Sequence, residues 1–268
     1  MAVKENGIYR LVRDVKTIIA SGYSVVLLVV LWELVARIIN EALFLPTFSS
    51  VIVLFVKMIF NLELLPHIYV SMARTLAGFF LAVVVGIPLG LIMGWSRFWE
   101  KFWNPIISLV YPIPKIGLIP LFILWLGIGN SSKVAVIFTA AVFSIVLNTY
   151  PGVKGTPRYL IWSAMTMGAT NWEVLFKVVL PHSLPYIFTG LRLAMGISWI
   201  LLFAAEMIAA QTGLGHLILF AERMLQTDVV FVALITIALF GFIFDRIITI
   251  AGKRVCDWYF EYEEARGA

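Results

Sequence analysis

The residues able to do chemistry are few and scattered. His67, His182 and His216 fall in three separate segments, too far apart in the chain to suggest one site. The single cysteine, Cys256, excludes an intrachain disulfide and supplies no metal-ligand spacing. No GxxxxGK[ST] phosphate loop, no HExxH and no GxSxG elbow occurs. No catalytic residue and no metal site is expected. What remains is a handful of charges inside long apolar runs: Glu33, Arg37, Lys115, Arg192, Glu206 and Arg246. An ionisable group at membrane depth pairs with another group or lines a water-filled path. Glu33 and Arg37 stand four apart with the acid first, which suits a pair along one helix face. Lys115 sits among Pro105, Pro112, Pro114, Pro120 and Gly117. Each internal proline removes a helix hydrogen bond, and broken backbone at membrane depth is tolerated only beside protein or water. Lys115, Pro114 and Pro120 are therefore expected to border a solute pathway, with Lys115 attracting an anion. Glu206 is expected either to pair with an arginine or to line the outer gate.

The elements that must position these residues are helices in a bilayer. The chain is 62% hydrophobic and 13% charged, against roughly 25% charged residues in soluble domains. Runs of 18 or more apolar residues read as spans. The pattern predicts an all-α polytopic membrane protein with six transmembrane helices: Tyr23–Ile39, Thr75–Trp95, Trp103–Leu126, Lys133–Tyr150, Tyr186–Ala210 and Val229–Ile250. Ahead of them, residues 1–21 form a basic amphipathic helix on the cytoplasmic surface. Residues 22–250 make one transmembrane domain, and 251–268 a cytoplasmic tail. Ser49–Phe60 reads as a short surface helix in an otherwise mixed 40–73 loop. Gly86, Gly90 and Gly94 form two overlapping GxxxG repeats, the mark of close helix approach. The cations are dispersed and not interleaved with aromatics, so no nucleic-acid partner is implied. With both termini cytoplasmic, twelve lysines and arginines lie on inner segments against four outside (Lys57, Arg74, Lys133 and Arg223), in line with the positive-inside rule.

One polar-bearing insert stands apart, PRYLIWSAMTMGATNWEVLFKVVLPHSLP at 157–185. Thr156 caps a first helix with Pro157 at its first position, and Gly168 ends it. Thr170-x-x-Glu173 is a capping box for a second helix. Trp172, Leu175, Phe176 and Val179 follow as one apolar stripe, and Pro181 is expected to stop it. The charge count places this pair in the cytoplasm. Trp172 and Phe176 would anchor a partner or pack beneath the loop.

The spacing of this insert resembles the coupling motif of permease subunits of binding-protein-dependent ATP-binding-cassette (ABC) importers: Glu-Ala-Ala, three residues, Gly, nine residues, Ile, any residue, Leu-Pro. Gly168, Val178 and Leu180-Pro181 take the later positions, and Ser163 and Ala164 fall on the alanines. Trp162 stands where the family has its glutamate. Trp162 supplies an apolar anchor instead, or Glu173 supplies charge from the second helix. Residues 74–97, 111–129 and 180–218 are similar to segments of the nitrate, sulfonate, taurine and bicarbonate subfamily, so the resemblance covers about 70–250. It implies a type I importer fold and a permease for a small, anionic solute in the inner membrane of a prokaryote. It also implies coupling through 157–181 to two ATPase subunits, which carry the ATP and magnesium, so this chain needs no cofactor. A second permease copy in a homodimer and an extracytoplasmic solute-binding protein complete the set. The rival reading is a secondary transporter or channel that works without an ATPase.

Overall fold

The computed structural model describes residues 7–258, with side chains from Tyr23 onward. The expected N-terminal surface segment and polar tail therefore lie partly outside the described residues. All regular structure among the described residues is helical. The chain falls into two compact units: the residues up to Glu63 with Phe220–Val232, and Leu64–Leu219 with Ala233 onward.

The first unit holds α1 (Gly7–Ile39) and α2 (Phe48–Phe60). The α1 backbone is continuous through residues 21–23, where the sequence suggested a boundary. Trp32 organises the turn between the two helices. Its indole donates to the Pro46 carbonyl at 3.0 Å, and its ring meets Phe48 and Phe231. Glu33 pairs with Arg37 as expected, and also accepts from the Ser49 amide and hydroxyl at the start of α2. Thr47 caps α2 through the Ser50 amide.

The second unit is built on a parallel pair, α3 (Leu65–Trp95) and α6 (Asn130–Lys154). The α3 glycines set this pairing. A Cβ on Gly78 would fall 2.7 Å from Ile137, and one on Gly90 2.6 Å from Thr149; Gly86 meets Ile145 and Gly94 meets Val153. The advance of eight residues on α3 for eight on α6 fixes the parallel direction. The helix α3 begins ten residues before the expected span, with Pro66 in its first turn, where the missing N–H costs nothing. The next pass, α9 (Leu180–Ala209), runs antiparallel to α6, with Gly152 under Tyr186 and Gly190 under Asn148. The last, α11 (Thr227–Val255), returns along α9 within this unit: Trp199 meets Phe240, Arg192 pairs with Asp245, and Phe188 packs on Gly252.

Because α3 and α6 are parallel, the chain between them must recross the full thickness. It does so as a broken span. Helices α4 (Arg97–Val110) and α5 (Ile119–Leu126) are bent by 86° about a 3-10 turn at Lys115–Leu118. At 14 and 8 residues, they reach only ~21 Å and ~12 Å at 1.5 Å per residue, short of the ~30 Å hydrocarbon core. The break that the prolines imply within 103–126 is thus an elbow, with α4 beginning six residues before the expected span. Four helices among the described residues are long and apolar enough to cross alone, and the bent pair taken as one span brings the number to five.

Candidate functional site

The 157–185 insert keeps its capping box but not its expected limits. Helix α7 covers Arg158–Thr166, with Pro157 in the cap position and no side-chain cap. Thr156 does not cap it: the residue is buried and its hydroxyl has no hydrogen-bond partner. Gly168 adopts φ +88° in open space, so backbone conformation, and not crowding, selects glycine there. Thr170 then caps α8 (Asn171–Val174). Its hydroxyl accepts from the Glu173 amide, and Glu173 Oε2 accepts from the Thr170 amide at 3.0 Å. The other carboxylate oxygen accepts from Lys177 at 3.0 Å. The Thr170 amide first, then Lys177, hold this carboxyl down to about 2. One oxygen is thus engaged in the cap and the other in an exposed pair with Lys177, and the carboxylate stays charged and part-exposed.

Pro181 does not stop the second helix. A π-turn at Leu175–Val179 precedes it and leads directly into α9, so helix runs without a break from Asn171 to Ala209. Pro181 lacks an N–H and its ring would clash with the carbonyl four residues back. Widening the preceding turn removes that conflict, a common use of π-bulges. Leu180 and Pro181 therefore lie in the first turn of α9.

The apolar stripe divides into two faces. Val174, Leu175 and Val179 are buried against Val153 of α6, with Leu91, Trp95, Ile161, Ala164 and Val178 around them. Trp172 and Phe176 point away, 71% and 55% exposed, with rings stacked at 6.1 Å. Trp162 is also exposed, as are Ser163, Tyr159 and Met167. Apolar side chains are thus displayed on a segment whose other face is packed on α3 and α6 and which continues into α9. An exposed aromatic cluster on a rigid support is the composition of a protein-binding hot spot.

The pathway residues do not converge. Lys115 donates to the carbonyls of Val110 and Tyr111 at the end of α4, and its ammonium lies 5.1 Å from the ring centres of Tyr111 and Phe143. A cation on the last carbonyls of a helix stabilises that end, and here it fixes the elbow. Pro114 and Pro120 flank the 3-10 turn.

Glu206 is fully buried and lines no open gate, although its neighbour Ala205 packs with Ile119 at the start of α5. Its Oε1 accepts from Arg74 Nη1 at 2.6 Å, and both its oxygens accept from Ser71. Oε2 also accepts from the Gly215 amide at 3.0 Å. Arg74 continues to Asn130 at 2.8 Å and to the Thr212 carbonyl at 2.7 Å. Lys133, also buried, donates to the carbonyls of Ile128 and Ala209. A Cβ on Gly213, at φ +127°, would fall on the Glu206 carboxylate. This knot ties α3, α6, α9 and the 210–215 turn together. Arg74 and Lys133, counted from sequence as outer-loop charges, are its buried cations. The signal was present, since a lone acid in one span implies a cation in another. Arg192 likewise has its partner in Asp245.

Comparison with known proteins agrees with this architecture. The family model described as "Binding-protein-dependent transport system inner membrane component" matches residues 86–256, more than half of the chain. A putative ABC transporter permease of Methanocaldococcus jannaschii is 40% identical over 82% of this chain and 84% of its own length. The taurine transport system permease protein TauC of Escherichia coli is 34% identical over 90% of both. A putative aliphatic sulfonates transport permease, SsuC of E. coli, is 36% identical over 83% of this chain and 85% of its own. Among solved structures, the fold is similar to an inward-facing form of the MetNI methionine ABC transporter, with TM-score 0.62 and 20% identity, covering 72% of this chain and 94% of that one. With its broken span, its parallel α3–α6 pair and these relatives, the chain belongs to the binding-protein-dependent inner membrane components, the multi-pass, non-enzymatic permease subunits of ABC importers that work with an ATPase and a solute-binding protein.

Proposed function

We propose that this permease docks its ATPase through the Trp162, Trp172 and Phe176 surface and carries a small sulfonate or a similar anion. The exposed, stacked Trp172–Phe176 pair carries the docking reading. The unbroken helix from Asn171 to Ala209 supports it mechanically, because a push on α8 is delivered to α9 without an intervening loop. Such a coupled rigid-body shift is one recognised form of alternating access. The ATPase binds ATP and magnesium, two ATPases act on two copies of this chain, and the chain itself holds no cofactor. A homodimer is the simplest closed assembly for a single permease type. The taurine and sulfonate transport named in the relatives supports an anionic substrate.

The docking face, and both termini, lie in the cytoplasm. Moving Arg74 and Lys133 into the buried knot strengthens this orientation, since only Lys57 and Arg223 of the four outer cations then remain in the outer segments. The direct test is co-purification of the permease with its ATPase. Trp172→Ala is expected to weaken the complex by about 2 kcal/mol or more, roughly thirtyfold in affinity, with the melting temperature of the permease alone unchanged. Full retention of the ATPase by the variant removes the docking assignment. A channel or secondary transporter would move solute without ATP, so nucleotide-independent uptake by reconstituted permease would favour that rival.

A further inference from the structure

Helix α4 presents three faces. The first packs on the bundle: Glu100 accepts from the Tyr150 hydroxyl at 2.7 Å and pairs with Lys154, and Trp103 and Ile107 pack with Met93 and Val146. These contacts progress from the Lys154 end of α6 toward its middle. The helix therefore climbs into the membrane beside α6 and does not lie flat on its surface. The second face, Phe98, Phe102, Pro105 and Leu109, is apolar and exposed, Leu109 by 77%. The third is polar. Arg97, Lys101, Asn104 and Ser108 recur at i, i+4, i+7 and i+11, so they form one stripe, and all four are exposed.

Ser108 follows directly on Ile107, which packs on Val146. Val146 is eight residues, ~12 Å, up α6 from Lys154. A polar stripe at that depth is disfavoured against lipid tails, and the adjacent apolar stripe already supplies a lipid-compatible face. The polar stripe therefore turns from the tails, toward water or toward a polar face of the second copy.

We propose that the Lys101–Asn104–Ser108 face of α4 is a wall of the solute pathway, on the side of the docking element, and that it passes small oxyanions. This rests on the importer reading above. The distribution of charge fits passage better than storage. The full positive charges, Arg97 and Lys101, stand at the mouth, where they draw an anion. Deeper in, Asn104 and Ser108 offer neutral donors, which can replace hydration without trapping the ion. The Lys115 ammonium, bound to the α4 carbonyls, adds a positive field at the elbow above them.

The test uses the complete transporter, permease with its ATPase and binding protein, in liposomes. Cys256, the only native thiol, is replaced by alanine. Asn104→Cys and Ser108→Cys are compared with Phe102→Cys and Leu109→Cys by reaction with a charged, membrane-impermeant methanethiosulfonate applied from the ATPase side. The polar-stripe thiols are expected to react at least about tenfold faster than the apolar-stripe thiols, because only they contact water. Taurine is expected to slow them, and Lys101→Gln to lower taurine uptake while binding-protein-stimulated ATP hydrolysis persists. Equal reactivity of the two stripes, or spontaneous disulfides between copies at 104 or 108, overturns the proposal. Hydrolysis in the unmodified complex separates the two readings. If the binding protein stimulates it but the stripe stays unreactive, only the pathway assignment fails. If there is no stimulation, the importer reading fails and takes the pathway with it.

Discussion

The knot around Glu206 and the element at 158–179 are built on opposite rules. The knot buries charge: Arg74, Lys133 and Glu206 are each at most 7% exposed. The element exposes aromatic surface, with Trp172 at 71%. A buried charge survives only when every donor and acceptor is met, and the knot meets its own within one unit. Exposed aromatics at a helix end are free to meet lipid headgroups or another chain. The contrast separates self-contained structure from contact surface without reference to any relative. It also explains why Glu206, the most suggestive acid in the sequence, is not a gate, whereas Trp162, in place of a motif acid, is exposed.

The knot is the more sensitive of the two regions to a single substitution. Glu206→Ala leaves Arg74 buried without its counter-charge, and is expected to cost about 3–5 kcal/mol, a loss typical of a halved buried pair. The thermal midpoint of the purified permease reads it directly, and a midpoint unchanged within a degree would remove the structural reading. In the element the opposite partition is expected, with Trp172→Ala changing ATPase affinity and not permease stability. Next in size is Gly168→Ala. A Cβ meets nothing there, so the cost is conformational only, about 1 kcal/mol for a non-glycine residue at φ +88°. ATPase retention should fall roughly fivefold. If Gly168→Ala behaves as the native chain, the turn is not what holds the aromatics in place.

The smallest effect concerns pH. The folded Glu173 carboxyl titrates at about 2, below its ordinary value of 4.5. A depressed acid contributes stability that is fully present above the unfolded value and lost as pH falls through the folded one. The α8 cap is therefore expected to hold unchanged from pH 8 down to 5 and to weaken only between about 4.5 and 2. ATPase retention that varies with pH between 5 and 8 in the native chain, but not in Glu173→Gln, would contradict this.

Much of the bundle was legible because its causes are local. Every α3 glycine that the repeat singled out meets α6, since a glycine row has no other use in a span. The Thr170–Glu173 box was readable because cap and acceptor are three residues apart. The Glu33–Arg37 pair was readable for the same reason. The errors lie where the decisive partner is distant in sequence. Arg74 and Glu206 are 132 positions apart, and nothing local separates a loop arginine from a buried one. Pro181 looked like a stop because a proline ends most helices. Here the π-turn absorbs its clash, a solution that rests on packing of Leu175 and Val179 against α6.

By itself, the sequence determined a helical membrane protein, the capped insert and its glycine turn. Hydropathy and backbone preference act over one helix length, and they suffice for that. Only the tertiary structure decided which charges are buried and which aromatics are shown. It also decided that α4 and α5 meet at 86° and that the bundle leaves the polar face of α4 uncovered. Those outcomes depend on which surface of each helix its neighbours cover, and coverage is settled by the whole bundle at once.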